Sequence, residues 1–227
     1  MNRSYLISAT GARPGKTVVG CALGFAFRAR GLRVGVMKPV ETAGGTPRGT
    51  ELDSADALAL AQASGCELPM ELMAPYRYRS GLALRAAAKA GSPAEPDLGV
   101  ISVCFNRIAA ASDIVLVESL GTIMEPLNRD ADFADLAAAL GLEVIVVIAN
   151  GPGCIDAALD AFRHAENKGL TVAGWILNDP GPAVGPDAPR VAVSLAHRTR
   201  VPCLGTMRFK EPLGIEAVEK LLARGSG

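Results

Sequence analysis

The stretch "SATGARPGKTVVG", residues 8–20, ends in Gly15-Lys16-Thr17, a set of residue types suited to phosphate. Between a strand and a helix, such a loop turns its backbone N–H groups and the positive end of the helix dipole toward an anion. Its lysine reaches the β/γ-phosphates and its threonine hydroxyl ligates Mg²⁺. The strict pattern wants a glycine, then four residues, then Gly-Lys-Ser/Thr. That first place holds Thr10, with Ala9 and Gly11 on either side. A glycine turn with a solvated lysine would share the tripeptide, so its placement in the fold decides between the two.

Further candidates follow other apolar runs. Lys38, after "LRVGVM", could meet an anion in a cleft, or be a solvated strand-end lysine whose stem covers apolar surface. "ELDSADALALAQ" starts a helix with Asp53 and Asp56, and first-turn carboxylates are also what a helix N-terminus favours by itself. Glu118 ends "DIVLVE", where a buried strand releases an acid into the crevice, a suitable place for a carboxylate that organises Mg²⁺. "NGPGCIDAAL" opens a helix with two glycines, a second anion site of the same physical kind. Asn178, in "ILNDPGP", fits turn chemistry, and Trp175, His164 and His197 read as packing or surface residues.

These residues need elements to hold them. Apolar, β-branched runs at 4–8, 32–38, 113–118, 143–149, 171–177 and 201–207 read as strands. Helical spacing is found over 17–30, from residue 53, over 100–111, 133–140 and 154–168, up to residue 198, and over 215–223. Strands apolar on both faces and separated by helices predict an α/β three-layer sandwich with a central, mostly parallel sheet. Ligands in such folds sit beyond the carboxyl ends of the strands. The Pro/Gly/Thr-rich pieces 43–50, 91–96 and 179–189 read as loops of one domain spanning 1–227.

Composition excludes several classes. With 23 Lys+Arg against 23 Asp+Glu the formal net charge is zero, which gives no electrostatic footprint for nucleic acid or an anionic membrane. The five cysteines include no CxxC pair and the two histidines stand apart, so a zinc-type site is unsupported. The odd cysteine count fits a reducing compartment, "VIVVIA" is too short to span a bilayer, and the first ten residues lack a signal-peptide pattern. The expectation is a cytoplasmic protein without a membrane or nucleic-acid partner.

Taken in order, the pieces resemble dethiobiotin synthetase, over nearly the whole chain. The family's loop, G-T-D-T-x-V-G-K-T, has one residue more than the strict pattern and overlies residues 9–17. "KPV" with Thr42 close behind, "DALAL", a strand ending in Glu, "GCI" opening a helix, and "GW" before "ND" fall where the family has them. The resemblance implies a P-loop NTPase-like fold, a homodimer and a cyclo-ligase of biotin biosynthesis. CO₂ adds to an amine of 7,8-diaminopelargonate, ATP phosphorylates the carbamate, and the second amine closes the cyclic urea.

Carried over by position, the loop Gly11, Ala12, Arg13, Pro14, Gly15, Lys16 and Thr17 holds the nucleotide phosphates. Thr17, Asp56 and Glu118 hold Mg²⁺, Lys38 supports the carbamate and γ-phosphate, and Asn178 reads adenine. Lys16 and Lys38 are thereby the catalytic pair. Thr42 stands on the substrate side, and Gly153, Cys154 and Asp156 start the helix that receives the substrate carboxylate from the partner subunit. The chain departs from the pattern at Ala9, Gly11, Ala12, Pro14, Ser119-Leu120, Asp156 and Met207-Arg208, and the lysine that marks the related partitioning ATPases would fall at Gly11. Two other readings share these residues: a ligase of the same fold acting on another amine or carboxylate, and a regulatory domain that senses ATP without ligase chemistry.

Overall fold

The structure is a computed structural model and describes residues 3–11, 15–42, 47–48, 51–80, 95–179, 187–208, 213–214 and 216–224. The main sheet is assembled from β1 (Arg3–Ala9), β2 (Val34–Met37), β7 (Ile114–Thr122), β8 (Glu143–Ala149), β9 (Val172–Asn178) and β10 (Cys203–Met207). Its order is β10-β9-β8-β1-β7-β2, and every pair is parallel. The chain turns to one side of β1 for β2 and β7 and to the other for β8, β9 and β10. Loops therefore leave the carboxyl ends in opposite directions and open a crevice beside β1.

The strands' period of two sorts their residues between two cores. Tyr5, Ile7, Val36, Leu116, Ile145 and Val147 face α1 (Lys16–Ala29), α2 (Ala55–Ser64) and α8 (Glu216–Ala223). Leu6, Val115, Val117, Val144, Val146 and Trp175 face α4 (Leu98–Ala110), α5 (Phe133–Leu140), α6 (Cys154–Asn167) and α7 (Ala188–Arg198). Between these helices lie the four-residue α3 (Met70–Met73) and short pairs, β3 (Val40–Glu41) with β6 (Tyr76–Arg77) and β4 (Pro47–Arg48) with β5 (Glu51–Leu52). Each strand residue buried on both flanks in this way removes an aliphatic side chain from water, worth about 1.5–3 kcal/mol apiece.

Several boundaries differ from the sequence reading. The 43–50 loop contains β4, half of an antiparallel pair too short to give a periodic signal. Helix α7 begins at Ala188, with Pro189 in its first turn, where its missing N–H costs nothing. The strand carrying Glu118 runs on to Thr122, because β7 breaks register with β1 between Ile7 and Ala9 instead of ending.

Candidate active site

The Gly-Lys-Thr tripeptide lies between β1 and α1, the placement that the phosphate-loop reading required. Gly15 caps α1 at φ 81, ψ 29, a left-handed conformation that glycine adopts without penalty. A Cβ there would also collide with the Asn178 side-chain amide, so two strand ends meet at this glycine. One turn on, a Cβ at Gly20 would lie 2.6 Å from Leu60 and 3.2 Å from Ile7, so α1 presses close against both α2 and the sheet. Ala12, Arg13 and Pro14 lie outside the described residues, and Gly11 borders open space.

Lys16 is buried at the first position of α1. Burial lowers its pKa, as does the charge of Lys38, against the pull of Glu118, Asp56 and Glu125. Thr17 follows, its hydroxyl 3.1 Å from Asp56 Oδ1 and 3.0 Å from Glu118 Oε1. Helix α2 brings Asp56, and β7 brings Glu118 on the face turned toward α1. Three oxygen-bearing side chains from three elements thus converge on one point.

Lys38 is not the solvated lysine that its position after a strand allowed. It is 2% exposed, and its Nζ lies 2.6 Å from Glu118 Oε1 and 2.8 Å from Asp56 Oδ2, and donates to the Ser119 carbonyl at 3.2 Å. Burial opposes its charge, but Glu118 and Asp56 prevail and hold its pKa above the ordinary lysine value. For Glu118 burial prevails and raises the carboxyl; at Asp56 burial is again the largest single influence, but Lys38 with the bonds to Thr17 and Glu118 outweighs it and lowers the carboxyl. The second oxygen of Glu118, Oε2, is buried without a hydrogen-bond partner among the described residues. Hard oxygen donors with one buried oxygen left over fit a cation such as Mg²⁺.

Two residues that the sequence reading passed over bear on this cluster, the first by hydrogen bonds and the second by charge alone. Glu41 is buried at the end of β3, where Oε1 accepts the Thr42 N–H at 2.9 Å and Oε2 accepts the Ser54 hydroxyl at 2.9 Å. Ser54 in turn caps α2 by accepting the Ala57 N–H at 3.1 Å, so the helix bearing Asp56 is tied to the strand segment that bears Lys38. The helix start in "ELDSADALALAQ" was read from the sequence; its Ser54 cap and the acid that holds it were not. The other is Glu125, on the loop after β7, whose carboxylate acts on Lys16 from outside the cluster.

The remaining candidates stand apart. Asn178 is buried at the end of β9, against Gly15 at the loop's close, and its carbonyl accepts the Asn150 N–H at 2.8 Å. Gly153 caps α6 at φ 75, Cys154 is buried behind it, and Asp156 is exposed in the first turn. Among the described residues none of these three hydrogen-bonds or ion-pairs with the Lys38 cluster. Ser119 is fully buried and donates to the Gly121 carbonyl at 2.8 Å, and Leu120 packs against the core. A cavity of about 390 Å³ lined by Arg28, Arg33, Ser64 and Cys66 lies at the opposite, amino end of the strands, far from this chemistry. No helix among the described residues is long and apolar enough to cross a membrane.

The chain is similar to known proteins. The family described as an AAA domain matches residues 3–217. The ATP-dependent dethiobiotin synthetase BioD of Anaeromyxobacter dehalogenans (strain 2CP-C) is 36% identical over 222 residues, 98% of this chain and 93% of the relative. Among solved structures, the septum site-determining protein MinD complexed with Mg-ADP from Pyrococcus horikoshii OT3 superposes with a TM-score of 0.59 at 18% identity, covering 97% of this chain and 86% of that one. A ParA family ATPase from Chlorobium tepidum TLS gives 0.59 at 12% identity, with 98% and 90% covered. Those two likenesses establish the P-loop NTPase-like fold alone. With 36% identity to the BioD relative over 98% of the chain, the chain belongs to the ATP-dependent dethiobiotin synthetase family, ligases built on that fold.

Proposed function

We propose that the protein uses ATP and Mg²⁺ to carboxylate 7,8-diaminopelargonate with CO₂ and to close the cyclic urea of dethiobiotin. The observation that carries this reading is the convergence of Lys16, Thr17, Lys38, Asp56 and Glu118 at the carboxyl ends of β1, β2 and β7. Mg²⁺ would be held by Thr17, Asp56 and Glu118, and would supply neutralisation of the phosphate oxygens.

The chain's own residues do the rest by position and charge. The 11–17 loop binds the triphosphate, with Lys16 on its β/γ end, and Asn178 closes the nucleotide side against Gly15. One amine of the diamine adds to CO₂, losing a proton and giving a carbamate. The carbamate oxygen takes the γ-phosphoryl group and ADP leaves. The second amine attacks the activated carbonyl carbon, and phosphate departs as the ring closes. Lys38, held beside Glu118 and Asp56 at the carboxyl ends of the strands, would meet the carbamate and the transferring phosphoryl group, and a bound Mg²⁺ would supply further charge neutralisation there. Thr42 lines the substrate side. The Gly153–Cys154 helix start of a second subunit receives the substrate carboxylate, which makes the working form a homodimer, placed in the cytoplasm.

Asp156 favours a second reading, a same-fold ligase for another amine or carboxylate. A carboxylate in the first turn of α6 repels a substrate carboxylate at the same helix start. Formation of dethiobiotin and ADP, measured with and without diaminopelargonate and bicarbonate, tests the first reading. ADP release that depends on neither would remove it. Light scattering that finds only monomer would remove the shared substrate site.

A further inference from the structure

Between Ile7 and Ala9 the parallel ladder of β1 and β7 loses its step. Ile7 pairs with Glu118 and Ala9 with Thr122, so one residue of β1, Ser8, faces three of β7, Ser119, Leu120 and Gly121. Those three have no register partner on the other neighbour either, because the pairing with β2 ends at Met37 and Val117. Extra residues on one strand make a bulge, and a bulge re-aims the groups that it carries. This one stands immediately after Glu118, where the site opens. Ser119 is 0% exposed, and its hydroxyl donates to the Gly121 carbonyl at 2.8 Å, closing the bulge from within. The buried Ser8 hydroxyl stands 3.5 Å from it on the facing strand.

The carbonyl of the same residue accepts from Lys38 Nζ at 3.2 Å. An ammonium has three protons to give. Here they meet three acceptors among the described residues: Glu118 Oε1 at 2.6 Å, Asp56 Oδ2 at 2.8 Å and this carbonyl. The first two are carboxylates that double as candidate cation ligands. The third is neutral, belongs to the main chain and has no part in that cation set. A carbonyl turns only with its whole peptide unit, and in a bulge no regular ladder fixes that unit. The bond from the Ser119 hydroxyl to Gly121 supplies the missing restraint. One residue therefore ties the ammonium to the step between β1 and β7.

We infer that Ser119 is a positioning residue for Lys38: its hydroxyl locks the β7 bulge, and the locked bulge aims the carbonyl that holds the Lys38 ammonium in the crevice. An acceptor independent of the cation ligands keeps the ammonium in one place whether or not those carboxylates are engaged by a cation. The consequence for catalysis rests on the function proposed above, in which Lys38 meets the carbamate and the phosphoryl group; the positioning itself does not.

Nitrogen-15 NMR of the lysine Nζ groups in the whole protein tests the assignment, with the Lys38 signal identified by its loss in Lys38→Met. In Ser119→Ala that signal should shift, and its protons should exchange with water roughly two- to tenfold faster, the factor carried by one neutral hydrogen bond. Ser119→Cys, nearly the same size and a weaker donor, should fall between the two, and it carries the test if Ser119→Ala does not fold. In dethiobiotin formation Ser119→Ala should lower kcat about ten- to hundredfold, the scale of a small misplacement of a reacting group, and leave the KM for MgATP within about twofold. An unchanged Lys38 signal with unchanged kcat overturns the inference even where the melting temperature falls, because the hydroxyl would then be structural only. Lys38 protons that exchange in wild type as fast as those of an exposed lysine overturn it too. The spectra are recorded without substrates, so a wild type that forms no dethiobiotin removes the proposed function and leaves the inference to the Lys38 signal.

Discussion

Replacing Lys38 with methionine keeps the stem and deletes the charge at the centre of the site. Glu118 is 1% exposed, and would then share its surroundings with Asp56 and no close cation but Lys16. Breaking a buried pair by removing one partner costs about 3–5 kcal/mol. For a domain of this size that is a melting temperature lower by roughly 6–20 °C, at about 2–4 °C per kcal/mol. The loss depends on pH with a definite sign. Burial already raises the Glu118 carboxyl, and without Lys38 it rises further. A carboxyl raised in the folded state contributes most below its unfolded value, about 4.3, and loses that contribution as pH rises through the folded one. The deficit of Lys38→Met is therefore greatest at neutral pH and shrinks toward about pH 5. Because an apolar pair often replaces a buried ion pair at little cost, Lys38→Met combined with Glu118→Met should regain most of the lost stability. Scanning fluorimetry from pH 5 to 8 reads all three proteins. A melting point in Lys38→Met within about 3 °C of wild type at neutral pH, where roughly 6–20 °C is expected, or a double variant no more stable than the single one, would refute the buried-pair reasoning.

Other expectations are smaller in scope. Gly15→Ala should lose about 1–3 kcal/mol from its left-handed backbone and the collision with Asn178, and should abolish the thermal stabilisation by MgATP. Ser54→Ala removes the α2 cap and its bond to Glu41, for about 1–2 kcal/mol in urea unfolding, and should weaken Mn²⁺ binding because α2 carries Asp56. Arg33 holds the exposed Asp113 carboxyl down to about 2, so its contribution is complete above the usual value near 3.9 and disappears as pH falls toward 2; Asp113→Asn should flatten the stability curve across that window. Asp156→Asn should tighten diaminopelargonate binding and leave MgATP binding unchanged, as read by calorimetry; no gain would place Asp156 away from the substrate carboxylate.

The main sheet was legible because each of its strands is an apolar run flanked by helical spacing, and two-faced burial is what such runs require. Lys16, Thr17 and Glu118 were legible for a related reason: a phosphate loop and a buried strand are local patterns with fixed consequences. Lys38 and Asp56 were ambiguous in the residues themselves, since a strand-end lysine and a first-turn acid are common for other reasons. Only the packing of α2 against β2 and α1 makes them partners. Glu41 was out of reach, because it acts through a bond to Ser54 made across the fold and does not sit in a recognisable pattern. The extension of β7 past Glu118 depends on a register break with β1, a property of the pair and not of either strand.

Strand β1 pairs on one side with β7 and on the other with β8, yet about a hundred residues separate it from the nearer of the two. A ribosome adding about 5–20 residues per second needs roughly 5–20 s to cover that distance. For that interval Leu6, Ile7 and the glycine turn beyond them have neither sheet neighbour, and β2 waits for the same β7. Closing such distant pairs is slow, and an apolar strand with two open edges is a substrate for chaperones and for aggregation. The nucleotide loop is thus completed late in biogenesis, and cellular ATP can serve as a ligand that draws the newly made chain into its final form.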